Sequence, residues 1–201
     1  MPTTPFLAVY CGSMIGRKPA YADGARQIGA ALGKHGLGMV YGGGQVGLMG
    51  VVADALLAEG GHVVGVIPAP LATVEIAHRG VTELIVVPDM HQRKAMMAER
   101  AAGFLTLPGG VGTFEEFFEV LTWAAIGLHE KPIGVLNLSS YFDPLLTLLD
   151  HGVDEGFINR RHRDLVVVET NPDSLVEELA LRIGHVPALT SPRLPASGGL
   201  S

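Results

Sequence analysis

Short apolar segments alternate with longer, helix-periodic segments from one end of the chain to the other. The short segments are apolar at nearly every position, which is typical of parallel strands covered by helices on both faces. They predict seven strands, at Phe6–Cys11, Gly38–Tyr41, His62–Ile67, Leu84–Val87, Phe104–Leu107, Ile133–Leu138 and Leu165–Val168. The intervening segments predict six helices, at Tyr21–His35, Leu48–Glu59, Met90–Ala102, Thr113–Leu128, Pro144–Glu155 and Ser174–Ile183. The alternation predicts an α/β fold built on a doubly wound parallel sheet with right-handed crossovers.

The chain has the length of one domain. It contains 201 residues, and neither an internal linker nor a repeat interrupts the alternation of predicted strands and helices. We therefore predict a single domain over residues 1–185. Residues 186–201 are rich in Pro, Gly and Ser and lack hydrophobic periodicity, so we predict a disordered tail there.

Composition and charge exclude several classes of protein. Apolar residues make up 48% of the chain and charged residues 17%, a balance that excludes an intrinsically disordered protein. The net charge of −6 argues against a nucleic-acid polymer as partner. The single cysteine excludes an internal disulfide. Because the chain has no long apolar run and no basic, apolar leader at its N-terminus, we expect a cytoplasmic protein without a membrane partner.

Three glycine-rich loops follow predicted strands. Ligands of an open parallel sheet bind beyond the carboxyl ends of the strands, where such loops lead into helices. Glycine lets the backbone approach a ligand closely, and the start of the following helix contributes its positive dipole end. Each loop therefore has the ingredients of an anion-binding cradle; the loops are Cys11–Ser13, Tyr41–Gly47 and Pro108–Thr113.

The second loop also matches the spacing G-x-G-x-x-G at Gly42, Gly44 and Gly47. A dinucleotide site would need an acidic residue at the end of the next strand to bind the ribose. That strand ends at Ile67–Ala69, without a carboxylate. The pattern therefore argues against NAD as ligand.

The third loop opens a helix and allows two interpretations of Glu116. Thr113 and Glu116 have the spacing of a capping box, in which the two side chains bond each other's backbone amides. Alternatively, Glu116 carries chemistry. A second polar cluster begins the preceding helix, where Arg93 and Lys94 could grip a phosphate. The alternative interpretation of that cluster is a solvated basic turn.

Four motifs, in this order along the chain, resemble those of the LONELY GUY family. They are VYCGS at Val9–Ser13, VYGGGQVGLMG at Val40–Gly50, MHQRK at Met90–Lys94 and PGGVGTFEE at Pro108–Glu116. Members of this family are cytokinin riboside 5′-monophosphate phosphoribohydrolases, many of them mislabelled as lysine decarboxylases. The resemblance implies a Rossmann-like fold, a homodimer with sites near the subunit interface, and hydrolysis of the N-glycosidic bond of a nucleoside 5′-monophosphate. The products would be a free base and ribose 5-phosphate.

The resemblance also implies a set of site residues. The family's catalytic arginine and glutamate fall on Arg93 and Glu116. Its substrate-binding positions fall on Glu75, Lys94, Gly109, Gly110, Val111, Gly112, Thr113, Glu115 and Thr122. The segment Thr73–Ile76 departs from the family's usual Pro-Arg-Glu-Ile, which affects the match at Glu75. The implied chemistry requires neither a metal nor a cofactor.

Two questions stay open at this stage. The first is whether the chain is an enzyme, as Arg93 and Glu116 favour, or a non-catalytic nucleotide carrier or sensor that needs only the glycine loops. The second is the base, since plain adenine and N6-modified adenine nucleotides both fit. An apolar pocket for an N6 group could be lined by methionines and a tryptophan, which are otherwise more often core residues; the candidates are Met14, Met90, Met96, Met97 and Trp123.

Overall fold

The computed structural model describes residues 4–72 and 76–184. Its strands are β1 (Phe6–Tyr10), β2 (Gly38–Tyr41), β3 (Val63–Pro68), β4 (Glu83–Val87), β5 (Ala101–Thr106), β6 (Ile133–Leu136) and β7 (Val166–Glu169). Its α-helices are α1 (Pro19–Lys34), α2 (Gly47–Ala58), α3 (Met90–Arg100), α4 (Val111–Ala125), α5 (Asp143–Asp154), α6 (Arg160–Arg163) and α7 (Pro172–Arg182). Two 3₁₀ turns cover Ala69–Leu71 and Leu138–Ser140.

The seven strands form one sheet in the order β4-β3-β2-β1-β5-β6-β7, and every neighbouring pair is parallel. From β1 the chain winds outwards in one direction through β2, β3 and β4. It then returns and continues in the other direction through β5, β6 and β7. This is a doubly wound sheet. The predicted α/β, Rossmann-like, single-domain fold is confirmed.

Helices cover both faces of the sheet and create two cores. Along β1, Leu7 and Val9 face the core beneath α1, α2 and α7, whereas Ala8 and Tyr10 face the core beneath α3, α4 and α5. Successive side chains of a strand point to opposite faces, so a strand buried on both sides must be apolar throughout. That requirement explains the uninterrupted apolar segments of the sequence.

The element boundaries differ from the sequence predictions in a few places. The predicted helix Met90–Ala102 ends at Arg100, and β5 begins at once with Ala101, which pairs with Phe6 of β1. Alanine and glycine carry little strand signal, so the pairing with β1 decides the structure of Ala101–Gly103. The one-turn helix α6 was not predicted, because four polar residues have no apolar periodicity. The strand predicted to reach Leu138 ends at Leu136.

The loops at the carboxyl edge of the sheet are joined by backbone hydrogen bonds. The amide of Gly12 donates to the carbonyl of Pro108 at 3.0 Å, and the amide of Leu48 donates to the carbonyl of Gly12 at 2.9 Å. Gly47 adopts a φ of +62°, and a Cβ there would lie 2.2 Å from the carbonyl carbon of Ser13. Only glycine permits this conformation and this approach without strain. The three glycine-rich loops are thereby held together.

Two further sequence predictions concern a membrane partner and the C-terminal tail. Within residues 4–72 and 76–184, no helix combines the length and the apolar character needed to cross a membrane. The predicted tail, residues 186–201, and the end of the predicted domain at residue 185 lie outside the described residues.

Candidate active site

A cleft of about 780 Å³ opens at the carboxyl ends of β2, β1 and β5. These strands are neighbours at the point where the winding of the sheet reverses, which is where open parallel sheets bind ligands. All three glycine-rich loops contribute to the cleft. Its lining includes apolar side chains, at Met14, Val46, Met49, Ile67, Leu71 and Met90, and polar ones, at Arg93, Thr113, Glu115 and Glu116.

A buried ion pair forms the polar centre of the cleft. Nη1 of Arg93, in the first turns of α3, lies 2.8 Å from Oε1 of Glu116, in the second turn of α4. The two side chains are 12% and 11% exposed. A guanidinium and a carboxylate that are 23 positions apart in the sequence are thus brought into contact where a ligand can reach both.

Burial dominates the protonation behaviour of this pair. It raises the pKa of Glu116, because the charged carboxylate loses hydration. The charge and the hydrogen bond of Arg93 lower the pKa, but they do not cancel the effect of burial. Glu116 is therefore a carboxylate whose proton affinity exceeds that of an ordinary glutamate.

The position of Arg93 depends on two features of the backbone around it. Asp89 caps α3, its side chain accepting a hydrogen bond from the amide of Gln92 at 2.9 Å, and so fixes the start of the helix. Gly42, in the loop after β2, lies against the guanidinium: a Cβ at this position would stand 2.3 Å from Nη2 of Arg93. The absence of a side chain at Gly42 leaves the space that the guanidinium occupies.

The capping-box interpretation of Thr113 and Glu116 is wrong. Helix α4 begins at Val111, two residues before Thr113, and its N-cap is Gly110, which makes no side-chain capping bond. Thr113 is a buried residue of the first turn, packed against Gly109. The carboxylate of Glu116 pairs with Arg93 and does not cap the start of the helix.

Lys94 is paired within the protein. Its ammonium donates to Glu115 at 2.5 Å and to Glu119 at 2.9 Å, both on α4. Burial lowers the pKa of Lys94, but the hydrogen bonds to the two carboxylates outweigh burial, and the pKa is raised. The interpretation of Arg93 and Lys94 as a solvated basic turn is wrong, because both cations are held by carboxylates of α4.

The start of α4 presents backbone to the cleft. Gly110 and Gly112 line the cleft, and a Cβ at either position would have no neighbouring atom within 4 Å. Neither glycine has a positive φ, so nothing in the described part of the chain requires glycine there. The first amides of a helix lack intrahelical partners and carry the positive end of its dipole. The arrangement leaves room for an anion to reach these amides.

The remaining predicted site residues are distributed as follows. Glu75 lies outside the described residues. Gly110, Val111, Gly112, Thr113 and Glu115 line the cleft together with the ion pair, whereas Gly109, in the same loop, lines a neighbouring cavity. Thr122 is exposed, almost two turns beyond Glu115 on α4, and its hydroxyl donates to the carbonyl of Phe118 at 2.6 Å. Neither Thr122 nor Lys94 is among the described residues that line the cleft.

Two of the five residues suggested for an apolar pocket reach the cleft. Met14 and Met90 line it, whereas Met97 is a core residue and Met96 and Trp123 pack against the core beneath α3, α4 and α5. Met49 and Leu71 also line the cleft, although they were not predicted to do so. Their positions in the sequence carry no signal of a cleft, because their apolar periodicity is the same as that of core residues.

Solved structures of the same fold include a molybdenum cofactor binding protein from Rippkaea orientalis. It superposes with a TM-score of 0.69 over 90% of this chain and 98% of that one, at 19% identity. A molybdenum cofactor carrier protein from Chlamydomonas reinhardtii gives a TM-score of 0.67 over 90% and 98%, at 20% identity. At such low identity the likeness concerns the fold alone. Fold and cleft together define a Rossmann-like α/β protein with a glycine-lined cleft at the switch point of its sheet.

Sequence comparisons identify the family. The model described as "Possible lysine decarboxylase" matches residues 49–179. A cytokinin riboside 5′-monophosphate phosphoribohydrolase from Arabidopsis thaliana is 49% identical over 86% of this chain and 80% of its own length. One from Rhodococcoides fascians is 52% identical over 83% and 85%. The chain belongs to this family, the LONELY GUY phosphoribohydrolases, as the four sequence motifs indicated.

Proposed function

We propose that this protein hydrolyses the N-glycosidic bond of N6-modified adenosine 5′-monophosphates and releases the free base and ribose 5-phosphate. The observation that carries the proposal is the buried contact of Arg93 with Glu116 beside the glycine-rich start of α4. The names of relatives that are about half identical to this chain support the same activity.

The geometry suggests a role for each part of the cleft. The amides at the start of α4 hold the 5′-phosphate, as helix N-termini commonly do. Glu116 lies five residues beyond Val111, about 7.5 Å along the helix, so the ribose of a bound phosphate can extend towards its carboxylate. Loss of the base builds positive charge on the sugar. Water adds to C1′ as the C1′–N bond breaks; Glu116 stabilises the charge on the sugar and takes a proton from the water, and the base gains one proton and leaves as the neutral free base. Arg93 orients the carboxylate and the sugar oxygens.

The apolar side chains of the lining support an N6-modified base. Met14, Met49, Leu71 and Met90 line the same cleft as Arg93 and Glu116. Methionine is flexible and adapts to irregular apolar groups. An alkyl substituent on N6 would lose water against these side chains, and plain adenine would leave them exposed.

The decarboxylase named in the family model does not fit the residues of the cleft. Amino-acid decarboxylation usually relies on pyridoxal phosphate bound to a lysine through a Schiff base, and such a lysine needs a lowered pKa. Lys94 instead has a raised pKa and is held by Glu115 and Glu119. Burial lowers the pKa of Lys131, but its ammonium donates to the carbonyl of Ala98. Neither lysine lines the described part of the cleft.

A non-catalytic carrier is the less favoured alternative. Its support is the fold shared with molybdenum cofactor carriers. A carrier would need the glycine-rich loops but not a buried carboxylate beside a guanidinium, which is costly to bury. The relatives with high identity bear the names of hydrolases.

We also propose a cytoplasmic homodimer. Large apolar side chains are exposed on and around α4 and α5, among them Ile126, Leu128, Leu148 and Phe157, the last with 90% exposure. Exposed apolar surface of this kind commonly marks a protein interface. Ile126 caps the C-terminal end of α4 and its amide donates to the carbonyl of Thr122, so a second chain on this surface would bring Thr122 into the interface.

The direct test is base release. Purified protein incubated with N6-isopentenyladenosine 5′-monophosphate is expected to release the free base and ribose 5-phosphate in equal amounts, and adenosine 5′-monophosphate is expected to react more slowly. Chromatography of the products measures both reactions. Ligand-induced thermal stabilisation without any base release would instead support the carrier.

The pH profile of kcat/KM is expected to decline on its acid side (the acid limb) at a pH above the usual pKa of a glutamate. Glu116 must be ionised to act, and burial raises its pKa above the ordinary value of 4.5. As the pH falls through this raised pKa, the carboxylate takes a proton and kcat/KM declines. The opposite sign holds for stability: the folded state binds this proton more tightly than the unfolded chain, so the contribution of Glu116 to stability decreases as the pH rises through the same range. Steady-state rates from about pH 4 to 8 locate the limb; a limb at or below 4.5 would contradict the assignment.

A further inference from the structure

A second cavity, of about 320 Å³, lies behind the glycine-rich loop that opens α4. Gly110 lines both this cavity and the cleft, as do Ser13 and Met14, so the two spaces adjoin at this loop. Tyr141 lines the second cavity, and its hydroxyl donates a hydrogen bond to the carbonyl of Gly109. This contact spans 32 positions of the sequence.

The hydrogen bond fixes the peptide between Gly109 and Gly110. In a trans peptide the C=O and N–H bonds point in opposite directions. Holding the carbonyl of Gly109 towards Tyr141 therefore aims the amide of Gly110 to the side away from Tyr141. A peptide between two glycines has little steric preference of its own, so its orientation needs an external contact.

Tyr141 is itself firmly held. Its ring packs on Tyr21, Phe114 and Phe142, with centroid distances of 5.7, 6.5 and 5.0 Å. The turn before it places Ser139 and Ser140 at φ values of 50° and 60°, a conformation that side-chain-bearing residues rarely adopt. Such strain persists only where surrounding contacts over-determine the backbone.

Asn137 supplies contacts at the base of that turn. Its side-chain oxygen accepts from the amide of Phe142 at 2.8 Å, and its side-chain nitrogen donates to Asp143 at 2.7 Å. Its own amide donates to the carbonyl of Glu169 at 2.8 Å. Asn137 is buried, so these bonds are shielded from competition with water. The strained turn therefore has a fixed anchor in the sheet, and Tyr141 projects from it towards the glycine loop.

We infer that Tyr141 is a positioning residue for phosphate recognition: it holds the Gly109–Gly110 peptide so that the start of α4 presents its amides to the 5′-phosphate of the substrate. The inference rests on the proposed function. Tyr141 is not among the described residues that line the cleft, so it acts through the loop that borders both cavities.

The test is Tyr141→Phe, which removes only the hydroxyl and keeps the ring packing. We expect KM for the nucleotide, and Kd for ribose 5-phosphate measured by calorimetry, to rise about 5- to 20-fold, as for the loss of one buried hydrogen bond. We expect kcat to change about twofold or less, because the contact with phosphate exists before and during the reaction. Slow hydrolysis of the corresponding nucleoside, which lacks the phosphate, is expected to be unchanged.

Tyr21→Phe is the matched control. Tyr21 lines the same cavity and its ring packs on Tyr141, yet its hydroxyl makes no bond to the described loop. This variant should leave Kd for ribose 5-phosphate unchanged. Equal weakening of nucleotide and nucleoside turnover in Tyr141→Phe, or an unchanged Kd for ribose 5-phosphate, would overturn the inference. The calorimetric measurement needs no turnover, so a wild-type protein that fails to release base would contradict the proposed function and still allow the role of Tyr141 to be decided.

Discussion

Glu116→Gln is expected to reduce kcat/KM for N6-isopentenyladenosine 5′-monophosphate by about 10³-fold, the scale of a lost general base that also stabilises charge. Glutamine keeps the size and the hydrogen-bonding capacity of the side chain towards Arg93, but it can neither accept the proton of water nor oppose positive charge on the ribose. The loss should fall on kcat, because the phosphate-binding amides are untouched. Initial rates at several substrate concentrations separate kcat from KM.

The fold should tolerate this substitution. Burial disfavours the ionised form of Glu116, so a neutral amide relieves a desolvation cost while it gives up part of the attraction to Arg93. We expect a melting temperature within a few degrees of the wild type. Glu119→Gln is the matched control, since Glu119 lies one turn further along α4 and its carboxylate accepts from Lys94 rather than from Arg93. Normal turnover in Glu116→Gln, with reduced turnover in Glu119→Gln, would reverse the assignment of the two carboxylates.

Arg93→Ala is expected to lower kcat/KM by about 10²- to 10³-fold, because the carboxylate loses its orienting partner and the sugar loses a hydrogen-bond donor. The substitution should also raise the pKa of Glu116 further, since the charge and hydrogen bond of Arg93 are what lower it. The acid limb of the pH profile then moves to higher pH. Residual rates measured across the pH range test both effects at once. An unmoved limb would show that Arg93 does not act on Glu116.

Gly42→Ala is expected to displace the guanidinium of Arg93 without removing it. The added methyl group would lie 2.3 Å from Nη2 of Arg93, and the end of this flexible side chain can move away without disturbing the backbone. We expect a stable protein with a reduced kcat/KM. Combined with Arg93→Ala, the glycine substitution should cause no further loss, because its effect passes through Arg93 alone. Additive losses in the double variant would instead place Gly42 in direct contact with substrate.

The sequence predicted most of the fold because the five inner strands are buried on both faces. Continuous apolar segments such as Val63–Pro68 have few alternatives once helical segments lie on either side of them. The prediction failed where small residues decide the structure. Ala101–Gly103 lacks strand propensity and becomes a strand through pairing with β1, a contact between residues almost a hundred positions apart.

The site was predictable only in part, for a related reason. The glycine loops can be found from their position after strands, and the motifs of the LONELY GUY family single out Arg93 and Glu116. The local pattern at Thr113 gave a wrong prediction. The sequence has the spacing of a capping box there, but the helix begins two residues earlier. The hydrogen bond of Tyr141 to Gly109 and the space left by Gly42 have no local signature, because each joins distant segments.

The charges around the cleft have a consequence for how ligands arrive and leave. Arg93 and Lys94 are matched against Glu115, Glu116 and Glu119, so these five groups carry one negative charge in excess, on a chain whose net charge is −6. A dianionic nucleotide is therefore not drawn in by long-range attraction, and its capture is governed by short-range amide contacts. After cleavage, the same negative field favours the departure of the sugar phosphate once those contacts break.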